Sequence, residues 1–475
     1  VLGGEFYSFQ NLNPDRLELS NFSLYHTEKN KFGYFGEIRF DYKGMAQLSV
    51  TGRVDGSSSL VQCDPVYFYP SVTAGVIFSE LFNLKNDWFS YGKIRGNWAK
   101  VGKDAPNYLF AKNFKQWSTF PDGGYGIAAE VSSATYLEPE MTSSWEIGAD
   151  LRFFRDRTRL DVAYYSTTVD NQIITMRVSP SAGVILQTFN SGSIENYGIE
   201  ATLAQDILKG GDFTWTANAN FSFNRGRLRD LPDGQNEYLG LQLGNDFYCS
   251  SNVGGSTTAM VGKDYVRTES GDIVCDENGY PTISANKNNW LGDREPDFLI
   301  GVGSTFTWKD LSLSFLVDGR IGGDVYNYTG YGLFSNGMSE YLAKYRNREI
   351  VINGVVANGD GTYSKNTTPI ILDSQTYTNY LAIPSNFIED GSYIRLSYVT
   401  VGYDFGKLMK KLGSKNPIKG LRASLTGRNL LLLTKYTGAD PQVMPAATGG
   451  AGSMGIDNNS VPSTRSFNFN VNLTF

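Results

Sequence analysis

The stretch FNFNVNLTF, residues 467–475, carries a large apolar side chain at every odd position and Asn or Thr at every even one. In a β-strand, period two sends Phe467, Phe469, Val471, Leu473 and Phe475 to one face. Asn468, Asn470, Asn472 and Thr474 take the other. Such a strand separates a greasy environment from a wet one. A soluble sheet resting on its own core supplies that pair of environments, and so does a barrel wall between lipid and a hydrated lumen.

The alternation recurs along the chain. FTWTANANFSFN (213–224) sets Phe213, Trp215, Ala217, Ala219, Phe221 and Phe223 against Thr214, Thr216, Asn218, Asn220, Ser222 and Asn224. LSLSFLVDG (311–319) alternates with Leu316 as its one exception, and LRASLTGR (421–428) places Arg422 and Arg428 on the wet side. In YFGEIRFDY (34–42) the wet side holds Glu37, Arg39 and Asp41, and the two arginines on the wet side of LRASLTGR suit a hydrated lumen better than a soluble core. The pattern predicts about fourteen strands, near 16–26, 32–42, 46–53, 67–78, 88–100, 144–153, 159–169, 197–206, 213–225, 298–307, 311–319, 393–403, 421–430 and 466–475. YIRLSYVTVGY (393–403) has apolar residues on both faces, consistent with a bulge, an aromatic girdle or a covered lumen.

Connection lengths sort into two sets. Short turns fall at 43–45, 154–158, 207–212 and 308–310, and long loops at 101–143, 170–196, 226–297, 320–392 and 431–465. Short turns at one rim and long loops at the other are the arrangement of an outer-membrane barrel. The link at 27–31 breaks the rule, being short where a long loop is due.

Composition agrees. Of 475 residues only 19% are charged, while 52 Gly, 29 Tyr and 29 Phe favour sheets and polar loops over helices. Mean hydropathy is −0.29, and no apolar run reaches the length of a spanning helix. A net charge of −6 without a basic stripe argues against nucleic acid as a partner. Cys63, Cys249 and Cys275 lack metal-ligand spacing and are read as unpaired thiols, although Cys249 and Cys275 could pair across one loop. The start VLGGEFYSFQ has neither an initiator Met nor a leader pattern and reads as a cut into a longer chain.

Several phrases carry a family resemblance. FIEDGSYIRLSYVTVGYDFG (387–406), GRNLLLLTKYTGADPQV (427–443), EIRFDYKGMAQLSVTGRVDGSS (37–58), LEPEMTSSWEIGADLRFF (137–154), NSGSIENYGIEATL (190–203) and PDFLIGVGSTFTWKDLSLSFLVDGRIGGDVYN (296–327) occur in the order of the SusC-like TonB-dependent outer-membrane transporters, the SusC/RagA family. The chain resembles that family over nearly its whole length. The resemblance implies an all-β transmembrane barrel of 22 strands, of which this chain supplies about 14. Residues 1–475 would form the C-terminal part of the barrel with its long extracellular loops. The plug domain that fills the lumen and the segment that engages TonB would lie outside the chain.

It also implies active import of oligosaccharides or peptides, with a SusD-like surface lipoprotein as lid and TonB as energy source. A dimer of transporter–lipoprotein pairs is the assembly it suggests. Neither enzyme chemistry nor a cofactor is called for, and the residues agree. His26 is the only histidine. Glu138 with Glu140, and Asp276 with Glu277, lack a supporting motif and read as solvated loop charge, with CDENG (275–279) as a turn. GGAGSMG (449–455) is not followed by the helix of a phosphate loop. Two other readings stay open, a passive porin and a soluble all-β carbohydrate-binding protein.

Substrate contacts are expected from loop aromatics. One group is Trp117, Phe120 and Tyr125, a second is Tyr238, Phe247, Tyr248 and Trp290, and a third is Tyr326, Tyr328, Tyr331 and Phe334. Each serves equally as an interface or packing aromatic. Phe467, Phe469, Val471, Leu473 and Phe475 are expected to face lipid. The resemblance further gives the terminal ring a role as a signal for barrel assembly.

Overall fold

A strand crossing hydrocarbon must find every backbone partner in its neighbours, so the ladder is the first thing to trace. The computed structural model describes residues 28–60, 66–107, 115–119, 125–132, 136–177, 184–232, 236–244, 246–411, 417–442 and 454–475. Thirteen antiparallel strands form one sheet in strict chain order. They are β1 (Lys31–Tyr42), β2 (Ala46–Ser57), β3 (Val66–Val76), β4 (Phe89–Lys103), β5 (Glu140–Phe153), β6 (Thr158–Asp170) and β7 (Ser193–Leu208). Then come β8 (Phe213–Asp230), β9 (Phe298–Trp308), β10 (Leu311–Ile321), β11 (Tyr393–Asp404), β12 (Gly420–Thr434) and β13 (Ser466–Thr474). Thirteen of the strands expected from alternation are present; the one near 16–26 lies outside the described residues. Among the described residues β1 and β13 each have one neighbour, so this ladder is not closed.

The register shows why the sheet is a wall. One row of direct partners runs Leu151, Leu160, Leu203, Ala219, Val302, Val317, Leu396 and Leu431, from β5 to β12 without a polar side chain. The row one residue over runs Asp150, Asp161, Thr202, Asn220, Gly301, Asp318 and Arg395, with one apolar side chain, Leu432, at its far end. The apolar rows are the lipid face and the polar rows the lumen face of an outer-membrane barrel wall. On the lumen face Arg95 clasps Asp161 with two hydrogen bonds of 2.6 and 2.8 Å. The closing strand fits the same scheme, since Phe469 pairs with Leu425 and Val471 with Ala423.

The mixed pattern of β11 resolves as a bulge. Ser397 is an extra residue against β10, where Leu396 pairs with Val317 but Tyr398 with Leu316. Even positions face outward before it (Ile394, Leu396) and odd ones after it (Val399, Val401, Tyr403). One inserted residue flips the parity, which is why apolar residues occupy both phases of the sequence. Leu316, the exception in β10, is the inward partner of Tyr398 at this point.

Connections segregate largely as expected, although 58–65 on the long rim is shorter than 77–88 and 405–419 on the short one. One rim carries 43–45, 77–88, 154–157, 209–212, 309–310 and 405–419; the other carries 58–65, 104–139, 171–192, 231–297, 322–392 and 435–465. The turn at 43–45 has Lys43 and Gly44 both at positive φ, which matches the twist of the flanking strands. No helix of the described residues is long and apolar enough to span a membrane.

Two neighbouring substitutions test the wall directly. Ala201→Arg places a cation in the lipid face near mid-strand and is expected to destabilise the barrel by about 2–4 kcal/mol, whereas Thr202→Arg points into the lumen and should be tolerated. The heat-modifiable folded band on a gel, with outer-membrane abundance, reads both.

Candidate functional site

The long rim is not a fringe of separate loops. Asp324–Asn327 leaves β10 and pairs antiparallel with Ile388–Asp390 and parallel with Ile456–Asp457, tying the connections 322–392 and 435–465 together. Beside it stands a four-stranded sheet of Glu237–Leu243, Phe247–Asn252, Ala259–Gly262 and Asn289–Asp293. Two short helices follow, α1 (Tyr328–Ser335) and α2 (Glu340–Tyr345). Asn327 caps α1 by accepting from the Gly330 N–H at 2.7 Å, and Ser339 caps α2 through the Leu342 N–H.

Aromatic packing holds this layer together. Phe247 and Tyr326 stack at 4.1 Å and are fully enclosed among Cys249, Met260 and Ile456. Burial raises the Tyr326 hydroxyl well above its ordinary pKa. Tyr328 and Tyr331 stack at 5.5 Å, and Phe387 meets Tyr331 and Phe334 edge to face at 5.6 Å. A second core under Phe334 is built from Leu342, Leu372 and Tyr377.

Buried polar groups bind the layer to the wall. Arg395, on β11, donates to Asp440 at 2.7 Å, and Ser463 donates to the same carboxylate. Burial opposes ionisation of Asp440, but the Ser463 hydroxyl, the Gln442 N–H and Arg395 outweigh it and hold the carboxyl below the ordinary range. Tyr436 donates to Asp457 at 2.7 Å, and Thr329 donates to Asp457 at 2.9 Å. Arg320 donates to the Arg294 carbonyl at 2.7 Å, and Arg294 in turn reaches the Met454 carbonyl at 2.9 Å.

Against this frame lies a recess of about 520 Å³. Phe334, Tyr341 and Phe387 give it an aromatic side, while Asn327, Asn386, Glu389, Asp390 and Lys435 give it a polar one. Glu389 is fixed by the Asn327 amide at 2.9 Å and the Thr437 N–H at 2.7 Å. The Ser392 hydroxyl and N–H hold Asp390 below the usual carboxylate range, so it is anionic at neutral pH. The recess therefore offers rings, amides and both signs of charge to a polar solute.

The expected site residues divide. Tyr328, Tyr331 and Phe334 gather on and around α1, with Phe334 lining the recess. Phe247 and Tyr326 join them only as core, because each spends its faces on neighbours inside the layer; that burial corrects the expectation that they meet a ligand. Tyr238 and Tyr248 sit half-buried in the four-stranded sheet, and Trp290 is exposed at its edge, none of them in the recess. Trp117 and Tyr125 fall on the paired strands Lys115–Thr119 and Tyr125–Ser132, and Phe120 lies outside the described residues, as do His26 and Cys63.

Tyr341, Phe387, Glu389 and Lys435 were missed by sequence reasoning. Phe387 and Glu389 open the phrase FIEDGSYIRLSYVTVGYDFG, the one signal that could have found them. Cys249 and Cys275 are both buried and are not joined to each other. Asp276 accepts from the Asn278 and Tyr280 N–H groups at 2.9 Å, which makes CDENG a turn. Glu140 pairs with Lys103 at 2.8 Å and Glu138 accepts from Asn171 at 3.0 Å, so this pair is structural.

A strand wall with lipid and lumen faces, short turns at one rim and a folded loop layer at the other defines an outer-membrane β-barrel protein. The family model described as TonB dependent receptor-like, beta-barrel matches residues 1–430. The chain is 25% identical to TonB-dependent receptor P3 of Formosa agariphila, over 98% of this chain and 48% of that protein. It is 24% identical to TonB-dependent receptor SusC of Bacteroides thetaiotaomicron, over 97% of this chain and 45% of that protein. Among solved structures, the RagAB peptide transporter superposes with a TM-score of 0.73 at 18% identity, covering 94% of this chain and 47% of that one. The chain belongs to the TonB-dependent receptor-like β-barrel family, whose place is the outer membrane. It spans about half the length of the curated relatives it matches.

Asp440→Asn should leave Arg395 buried without its counter-ion, which is expected to cost about 3–5 kcal/mol and to release residues 435–465 to limited proteolysis. Acid should do the same to the unaltered protein. Because the folded pKa of Asp440 is depressed, its contribution is complete above the unfolded value of about 3.9 and is lost as pH falls below it.

Proposed function

We propose that this chain forms the C-terminal part of the barrel of an active outer-membrane importer, and that its loop layer takes up oligosaccharides or peptides. The observation that carries the reading is the recess beside α1, which offers aromatic surface and fixed polar groups above a wall with a polar interior. Nothing in that arrangement sets up covalent chemistry; the site binds and releases. Phe334, Tyr341 and Phe387 supply apolar contact, and Asn386, Asp390 and Lys435 supply hydrogen bonds and charge. Tyr328 and Tyr331 stiffen the wall of the recess from behind.

Four further parts of the reading rest on the family resemblance. A SusD-like lipoprotein closes over the long rim, a plug domain fills the lumen, and TonB pulls on the plug to drive release inward. Pairs of transporter and lipoprotein associate as dimers. A passive porin would leave the folded loop layer without a purpose, since open diffusion needs no recess.

The test is a binding screen of neutral glycans and of short peptides on the full-length transporter with its lipoprotein. One class is expected to bind, and Tyr341→Ala should weaken it about tenfold while the folded fraction stays constant. Binding that is indifferent to Tyr341→Ala removes the recess from the account.

A further inference from the structure

The short-turn rim has a charge of its own. Its six connections hold ten lysines and arginines against five carboxylates among their described residues, on a chain whose net charge is −6. The excess is densest in 405–419, where Lys407, Lys410, Lys411 and Lys419 occur without a carboxylate. Here the chain leaves β11 and enters a short helix, Gly406–Lys411.

That helix sets Lys407, Leu408 and Lys411 beside the Tyr403 and Phe405 rings, which meet edge to face at 4.7 Å. With Asp310 they enclose a cleft of about 570 Å³. Its floor continues the lipid face, because Tyr403 pairs with Leu311 on one side and Ala423 on the other. Leu408 is 51% exposed and nearby Trp308 59%, so apolar surface runs from the wall to the helix. The carboxylates around it are already engaged, Asp310 by Lys407 at 2.9 Å and Asp404 by Arg422 at 3.0 Å. Lys410 and Lys411 form no salt bridge to a described residue.

We propose that this cleft binds an anionic phospholipid of the leaflet that meets the short turns. Lys411, which lines the cleft, takes the headgroup phosphate, with the exposed Lys410 beside it on the helix adding charge, and Tyr403, Phe405 and Leu408 hold the upper part of the acyl chains. An amphiphile with one anionic end is the ligand that uses both halves of the site. A soluble anion would use the ammonium groups and leave the apolar floor bare. The proposal rests on the barrel reading of the wall, since only a wall in lipid brings acyl chains to Tyr403.

The test is native mass spectrometry of the full-length protein released from detergent, titrated with phosphatidylglycerol or phosphatidylcholine of matched chains. Phosphatidylglycerol is expected to be retained in preference, by about fivefold for each engaged lysine. Lys410→Gln with Lys411→Gln should bring its retention down to that of phosphatidylcholine, while arginine at both positions should keep the preference. Equal retention of the two lipids by the unaltered protein, or an unchanged preference in the glutamine variant, overturns the proposal. So does displacement of the lipid by excess inorganic phosphate, which would mark a free-anion site. The heat-modifiable band controls for folding. Failure of the barrel reading itself would show separately, as a protein that stays monodisperse without detergent.

Discussion

Everything in this molecule depends on the rule that a peptide group surrounded by hydrocarbon cannot go without a hydrogen-bond partner. Water is absent there, so each strand must lie against another along its whole crossing. The ladder gives every strand from β2 to β12 a partner on both sides, with consecutive hairpins and no crossover, and leaves one edge each of β1 and β13 unpaired among the described residues. Once the backbone is fixed this way, the side chains have two directions left. The row from Leu151 to Leu431 and the row from Asp150 to Arg395 are those two directions, one residue apart on the same strands. A single insertion would exchange them, and at Ser397 one does.

That bulge marks the place where the wall meets the loop layer. Arg395 lies two residues before Ser397, faces inward opposite Asp318, and reaches up to Asp440 in the connection after β12. Ser397 itself donates to Asp318. Restoring the outward phase after the bulge keeps Val399, Val401 and Tyr403 in lipid while leaving Arg395 free to serve the loops. The loop layer is thereby attached to the wall through a charge pair that is nearly inaccessible to solvent. Lys435 and Thr437, in the same connection as Asp440, line that recess, so the charge pair and the recess share one loop.

The wall was legible in the sequence because period two needs only local information. FNFNVNLTF, FTWTANANFSFN and LSLSFLVDG each state both faces within a dozen residues, and the strands fall where those patterns lie. The segment 393–403 resisted because a bulge has no composition of its own; it shows only as a change of phase. The loop layer was far less legible. Phe247 and Tyr326 stand 79 positions apart yet stack face to face, and nothing near either residue announces the other. Aromatic content marked several loops, but it could not separate Tyr326, spent in the core, from Tyr341, which lines the recess. Charge on the short rim was present in the sequence from the start. It acquired meaning only when the Gly406–Lys411 helix placed its lysines at the edge of the lipid face.

The most direct test of the wall is accessibility along a single strand. Nitroxide labels placed one at a time at positions 145 to 151 of the full-length protein in native outer membrane would be read with oxygen and with a water-soluble nickel complex. The account expects the two quenchers to alternate strictly. Oxygen should dominate at Trp145, Ile147, Ala149 and Leu151, and nickel at Glu146, Gly148 and Asp150. Accessibility that varies smoothly along the strand, or alternates in the opposite phase, would contradict it.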